Sequence, residues 1–148
     1  MPISINPLMM REIIMDHYNS PLHKVTPKNP NEYKQIVMDS DSCIDNITIF
    51  IKEDGDKIVD ACFDGVACTI STASTDILCD MIIGKDKNYA LKVIEEYKKM
   101  IYEQPFDEDL LGELICFINT HKQAARIKCA TIGFNGVEDI LCDHKHED

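Results

Sequence analysis

Along the chain the spacing of apolar residues switches from helical to alternating and back to helical. Met10, Ile13, Ile14 and Tyr18 recur at three- and four-residue steps behind Asn6-Pro7, an N-cap with proline at the first helical position. This predicts a helix that ends near Ser20-Pro21. Residues 22–31 are polar, and Pro21, Pro27 and Pro30 disfavour helix, so an ordered loop crossing the surface is expected. The period then drops to two. Ile47, Ile49 and Ile51 alternate with Thr48, Phe50 and Lys52, Asp54-Gly55 marks a turn, and Ile58 to Phe63 resumes a strand pattern, which together predict a β-hairpin. A weaker strand from Tyr33 to Met38 is expected to pair with it, giving three strands that still need a covering layer. In the strand after the turn, Val59, Ala61 and Phe63 are expected to face the core, with Cys62 on the side of Asp60 and Asp64.

After Gly65 the helical period returns. Ile70, Ala73, Ile77 and Met81 predict a helix closed by Gly84. A second begins at Lys85 or Asp86 and turns Ala90, Val93, Ile94 and Tyr97 inward. Pro105 breaks the chain before Asp107, Leu110, Leu111, Leu114 and Phe117 open another helix, and a last one runs from Cys129 towards Leu141. Strands first and helices afterwards describe an α+β fold, a three-stranded antiparallel sheet with helices packed mainly on one face.

With 148 residues and 45% apolar content, the expectation is one domain over 1–148 with a substantial core and a frayed polar tail at 143–148. A formal net charge of -11 argues against nucleic acid, whose phosphates need clustered Lys and Arg. Met1 to Arg11 lacks the features of a signal peptide, and there is no long uncharged apolar run, so a cytoplasmic protein with no membrane partner is expected. Seven cysteines, an odd count without a secretion signal, then read as reduced thiols, some of them ligands or nucleophiles.

Cys43, Cys68 and Cys129 each fall where one element gives way to the next, and Asp45 lies two residues beyond the first. Three thiolates and a carboxylate match a closed zinc site or a site that handles sulfur. Cys68 is expected in the first turn of its helix, where unpaired amides and the helix dipole favour a thiolate, and Cys129 in an equivalent place. Small thiols also suit tight junctions, and the spacing alone leaves both readings level. Cys62, Cys79 and Cys116 read as packed or partly exposed residues rather than ligands. Cys142-Asp143-His144-Lys145-His146 offers alternate ligands on a terminal tail that would bind metal only adventitiously. His17, His23 and His121 read as surface or capping residues. Glycine-rich phosphate loops, nucleophile elbows and His-Glu-x-x-His patterns are absent.

Three segments carry a resemblance: Ile13-Ile14-Met15-Asp16-His17-Tyr18 through Pro21, the run from Asp60 through Cys68 to Ser74, and Arg126-Ile127-Lys128-Cys129-Ala130-Thr131. With them the chain resembles the SufU branch of the IscU/NifU family of iron-sulfur cluster assembly proteins. Lys128, where IscU has His, and the extra segment Asp107 to Leu114 look like SufU. The resemblance implies zinc held by Cys43, Asp45, Cys68 and Cys129. It also implies a sulfurtransferase step in which a SufS-like cysteine desulfurase docks, one of its histidines displaces Cys43 from zinc, and the freed thiolate takes the terminal persulfide sulfur. Downstream assembly or recipient proteins would follow. Two positions depart from the family: Ile44 replaces the usual Gly between Cys43 and Asp45, and Gln123-Ala124-Ala125 lacks the Pro usual before the last cysteine. Arg126 is expected near the site, steadying a thiolate or the partner. Alternatives are an IscU-like scaffold carrying iron or a nascent [2Fe-2S] cluster on the same ligands, and a zinc-stabilised interaction module.

Overall fold

In the computed structural model, residues 6–39 and 44–142 are described. Helix α1, Pro7–Asn19, starts as its sequence dictates, with Asn6 Oδ1 accepting from the Met9 amide at 2.8 Å. The proline-rich stretch then runs along and over the sheet. The Phe63 amide donates to the His23 carbonyl, and Lys24 bridges Phe63 in parallel, which extends the sheet edge by a short step. A 3-10 turn, Pro30–Glu32, delivers the chain to the opposite edge, where β1, Lys34–Asp39, begins.

β1, β2 (Asn46–Asp54) and β3 (Lys57–Val66) form the three-stranded antiparallel sheet predicted, and their order is β1-β2-β3. Ile47, Ile49, Ile51, Ala61 and Phe63 fill its inner face and are fully buried. Val59 departs from expectation and is 45% exposed. The reason is a bulge: Lys52 pairs with Asp60 but Glu53 pairs with Ile58, so Val59 is the extra residue and the alternation slips by one. Ile58 therefore takes the inward position. On the outer face the Tyr33 ring stands edge-on to Phe50 while its hydroxyl donates to Asp60, and Thr26 donates to Asp64. Phe50 and Cys62 are buried on this face as well.

Helix α2, Thr69–Ile82, is buried on nearly all sides. Helix α3, Lys87–Ile101, is capped by Asp86 and buries Ala90, Val93, Ile94 and Tyr97 as its period predicts. The expected helix across 107–117 is instead broken. Helix α4, Glu108–Leu111, stops at Gly112, whose φ of 52° is a conformation that favours glycine, and a 3-10 helix continues over Gly112–Phe117. Leu111, Leu114 and Phe117, three residues apart and fully buried, suit a three-residue turn better than one of 3.6. After a further 3-10 turn at Thr120–Lys122 comes α5, Ala124–Leu141, which starts before the predicted Cys129. At Gly133 a Cβ would lie 2.1 Å from Thr75 Oγ1 of α2, and at Gly136 one would lie 2.9 Å from Ile49 of β2. Both glycines let α5 seat closely against helix and sheet. Tyr97 stacks flat on Phe134 with centroids 3.8 Å apart and donates its hydroxyl to the Ala130 carbonyl, which fixes α5 against α3. Among the described residues no helix is long and apolar enough to cross a membrane.

His17 is not a plain surface residue. Its Nδ1 lies 2.6 Å from Asp76 Oδ2 and its Nε2 3.0 Å from Glu113, while the other oxygen of Asp76 accepts from the His23 amide at 2.7 Å. Asp76 is fully buried in the middle of α2, and this cluster ties α1 and the start of the following loop to that helix. Burial alone would lower the His17 pKa, but the hydrogen bonds to Asp76 and Glu113 outweigh it and raise the pKa above 6.5. The folded protein therefore holds this proton more tightly than the unfolded chain. Its contribution to stability is complete below pH 6.5 and is lost as pH rises through the elevated folded value. Denaturant midpoints measured across that window should fall with pH in the wild type, and the fall should be absent in His17→Gln.

Candidate metal centre

Antiparallel pairing of β2 with β3 sets Asn46 opposite Val66, so the residue that enters one strand meets the residues that leave the other. Asp45 is thereby brought beside Cys68. The approach requires glycine at position 65: its φ is 125°, and a Cβ there would stand 2.3 Å from the Asn46 carbonyl oxygen. Ile44, in place of the family's usual Gly, turns outward and is 67% exposed, while Asp45 is 1% exposed. The larger residue does not keep the carboxylate from the interior.

The Asp45 carboxylate is oriented by two donors to Oδ1, the Cys68 amide at 2.9 Å and the Ser71 hydroxyl at 2.7 Å. Cys68 is the N-cap of α2, and its Sγ accepts from the Ser71 amide at 3.5 Å. Ser71 occupies the third helical position, where a capping partner is expected. It holds both Asp45 and Cys68 in place and was not identified from the sequence, although the spacing Cys68-x-x-Ser71 carried the signal. Cys129 arrives from α5, not at a helix start as expected but in the second turn, with Sγ 4.0 Å from the Ala125 carbonyl of the preceding turn. The helix dipole argument therefore holds for Cys68 and not for Cys129.

One donor atom each from Asp45, Cys68 and Cys129 lies within 4.8 Å of the others. In a tetrahedron with bonds of about 2.0–2.3 Å, donors stand about 3.5 Å apart, so this triad closes on a zinc-sized ion with small movements. Two thiols and a buried carboxylate also have the right chemistry for zinc, which prefers thiolate and tolerates one oxygen. Cys43 lies outside the described residues, and its thiol is not placed. Arg126 is exposed on α5, one turn before Cys129, and lines a cleft that also takes in Thr69, the residue after Cys68.

The remaining thiols are set apart by their surroundings. Burial, with Asp60 and Asp64 adding to it, pushes the Cys62 thiol up to about 11. Burial does the same more strongly to Cys79, beside Asp76, and to Cys116, beside Glu113. These are inert packing thiols; Cys79 and Cys116 lie inside helical turns as expected, whereas Cys62, expected on the face away from the core, is 3% exposed. Cys142 is exposed at the end of α5, and residues 143–148 lie outside the described residues. His23 contacts Asp80 at 3.0 Å and His121 the Ile118 carbonyl at 3.0 Å, so neither joins the centre.

Residues 9–130 match the NifU-like N-terminal domain family. The chain belongs to this family. It is 34% identical over 131 residues to the zinc-dependent sulfurtransferase SufU of Bacillus subtilis (strain 168), covering 88% of this chain and 87% of that protein. It is 32% identical over 131 residues to the iron-sulfur cluster assembly scaffold protein IscU of Streptococcus pyogenes serotype M1, covering 87% and 80%. Among solved structures, a putative iron-sulfur cluster assembly scaffold protein for the SUF system from Fervidobacterium islandicum AW-1 superposes with a TM-score of 0.81 at 34% identity, covering 88% of this chain and 94% of that one.

Removing the Ser71 hydroxyl takes away its 2.7 Å hydrogen bond to the Asp45 carboxylate. Ser71→Ala should weaken zinc about 10- to 100-fold in a chelator competition, with little change in the far-ultraviolet circular dichroism of the loaded protein. Gly65→Ala is a harsher test, because strain in the positive-φ region costs on the order of 1–3 kcal/mol before the clash with Asn46 is counted. Its unfolding free energy, from denaturant titration, should drop by at least that much.

Proposed function

We propose that this protein is a zinc-dependent sulfurtransferase of iron-sulfur cluster assembly, in which Cys43, Asp45, Cys68 and Cys129 hold the metal and Cys43 accepts sulfur. The observation that carries the reading is the convergence of Asp45, Cys68 and Cys129, from three separate parts of the chain, at one point. Membership of the NifU-like N-terminal domain family and the likeness to SufU of Bacillus subtilis supply the reaction class.

Zinc, when bound, keeps its thiol ligands deprotonated at neutral pH without changing oxidation state. The remaining work falls to the chain. Asp45, clamped by Ser71 and the Cys68 amide, supplies a fixed anionic oxygen. Cys68 and Cys129, on the long helices α2 and α5, are anchors. Cys43, two residues before Asp45 in sequence, is the ligand proposed to leave. Its thiolate attacks the outer sulfur of the partner's persulfide, the partner's own sulfur departs as a thiolate, and Cys43 becomes the persulfide. The reaction exchanges one S–S bond for another and needs no oxidant.

The partner implied by the family is a cysteine desulfurase. We assign it to the SufS type, with the encounter in the cytoplasm and Arg126 steadying a thiolate or the docked enzyme. The likeness to IscU of Streptococcus pyogenes supports a second reading, a scaffold that builds a cluster on the same donors. Lys128, in the position where IscU has His, weighs towards transfer.

Desulfurase turnover should rise on addition of the purified protein, and Cys43→Ala should return it to the unstimulated rate while Cys62→Ala and Cys116→Ala keep the stimulation. Equal losses in all three would refute the assignment. Elemental analysis of the freshly purified protein should find zinc; iron with sulfide in its place would favour the scaffold.

A further inference from the structure

The sequence contains two arginines, Arg11 and Arg126, and both line the same open cleft of about 520 Å³. They come from opposite ends of the chain, one from α1 and the other from α5. In a protein of net charge -11, none of the described residues that line this cleft is acidic; Asn119, Thr120, Gln123 and Thr69 complete its polar part and Ile70 and Cys116 its apolar part. Among the described residues, neither arginine makes an ion pair. The N-termini of two long helices meet the same space, since Thr69 and Ile70 open α2 and Gln123 is the N-cap of α5. Neither helix has an acidic residue in its first turn, and the α5 cap makes no side-chain hydrogen bond. Guanidinium forks and helix N-termini act in one sense, towards an anion with paired oxygens.

The position of the cleft narrows the class of anion. Thr69 is the neighbour of Cys68, and Arg126 precedes Cys129 by three residues on one face of α5, so the cleft opens beside the two anchoring cysteines. A short molecule held there by a carboxylate has its other end close to the sulfur chemistry. We propose that this cleft binds a small thiol carrying a carboxylate, and that this thiol takes the sulfur away from the loaded protein. The inference rests on the sulfur-carrying reading above and names the acceptor class for it. In the step, the bound thiolate attacks the outer sulfur of the protein's persulfide. A new S–S bond forms on the small molecule, the bond to the protein breaks, and the protein sulfur leaves as a thiolate. No electrons are gained or lost overall.

The test begins with binding alone, so that it does not depend on the desulfurase. Isotope-labelled, zinc-loaded protein is titrated with glutathione, with S-methylglutathione and with inorganic phosphate, and amide shifts are followed by NMR. Glutathione and S-methylglutathione should give the same saturable shifts at Thr69, Asn119, Thr120 and Gln123. Arg11→Gln and Arg126→Gln should each weaken both about 10- to 100-fold, the loss expected for a charge-assisted hydrogen bond, and Arg11→Lys should recover part of it. Circular dichroism of each variant shows whether it is folded. Absence of saturable shifts, shifts that ignore both arginines, or phosphate binding as tightly as glutathione would overturn the carboxylate site and leave the sulfur-accepting reading standing. Protein carrying radiolabelled sulfur should then pass label to glutathione faster than Arg11→Gln does. Equal rates would overturn the acceptor role, whereas failure to load label at all would count against the sulfur-accepting reading itself.

Discussion

The candidate centre depends on the close passage of Gly65 beneath the Asn46 carbonyl. At 2.3 Å from a hypothetical Cβ there is no space for any side chain, and a φ of 125° is one that only glycine adopts without strain. This contact lets β3 run to its end against the first residue of β2, so that Asp45 and Cys68 become neighbours despite their distance in sequence. The ladder of backbone hydrogen bonds thus performs the first half of the assembly before any metal is present.

The second half is carried by α2, an unusual helix in being buried along most of its length while rich in Ser, Thr and Asp. Buried polar groups are costly unless satisfied; Thr72 Oγ1 and Thr75 Oγ1 have no hydrogen-bond partner among the described residues, whereas the partners of Ser71 and Asp76 are parts that must be positioned. Ser71 spends its hydroxyl on the Asp45 carboxylate, and Asp76 gathers His17 and the His23 amide. One rigid element therefore orients the donor set at its N-terminus and secures α1 at its middle.

Much of this was legible in the sequence because local rules and tertiary structure agree. The cap at Asn6-Pro7, the alternation of Ile47, Ile49 and Ile51, and the inward stripe of α3 all follow from spacing. Misreadings occurred where a single residue changes the period. The bulge at Val59 shifts the face of β3, and Gly112 splits a pattern that otherwise reads as continuous helix. The sequence pattern puts the start of α5 too late because Ala124, Ala125, Arg126 and Lys128 are exposed and only Ile127 of these five is partly buried. Of the donor set, Asp45, Cys68 and Cys129 were identified and do come together; their mutual distance was not legible, because it is decided by hairpin register and by the seating of α5. Arg11 went unnoticed because its neighbour in space, Arg126, lies at the far end of the chain.

That seating has a geometric corollary. Gly133 and Gly136 are two places where α5 lacks even a methyl group, and in each the vacancy is filled by an atom of α2 or of the sheet. A helix spaced outward by the width of one methyl would carry Cys129 with it, away from Asp45 and Cys68. The bite of the sulfur ligands is thus calibrated one to two helical turns away from the sulfur, by hydrogen atoms where side chains would otherwise be.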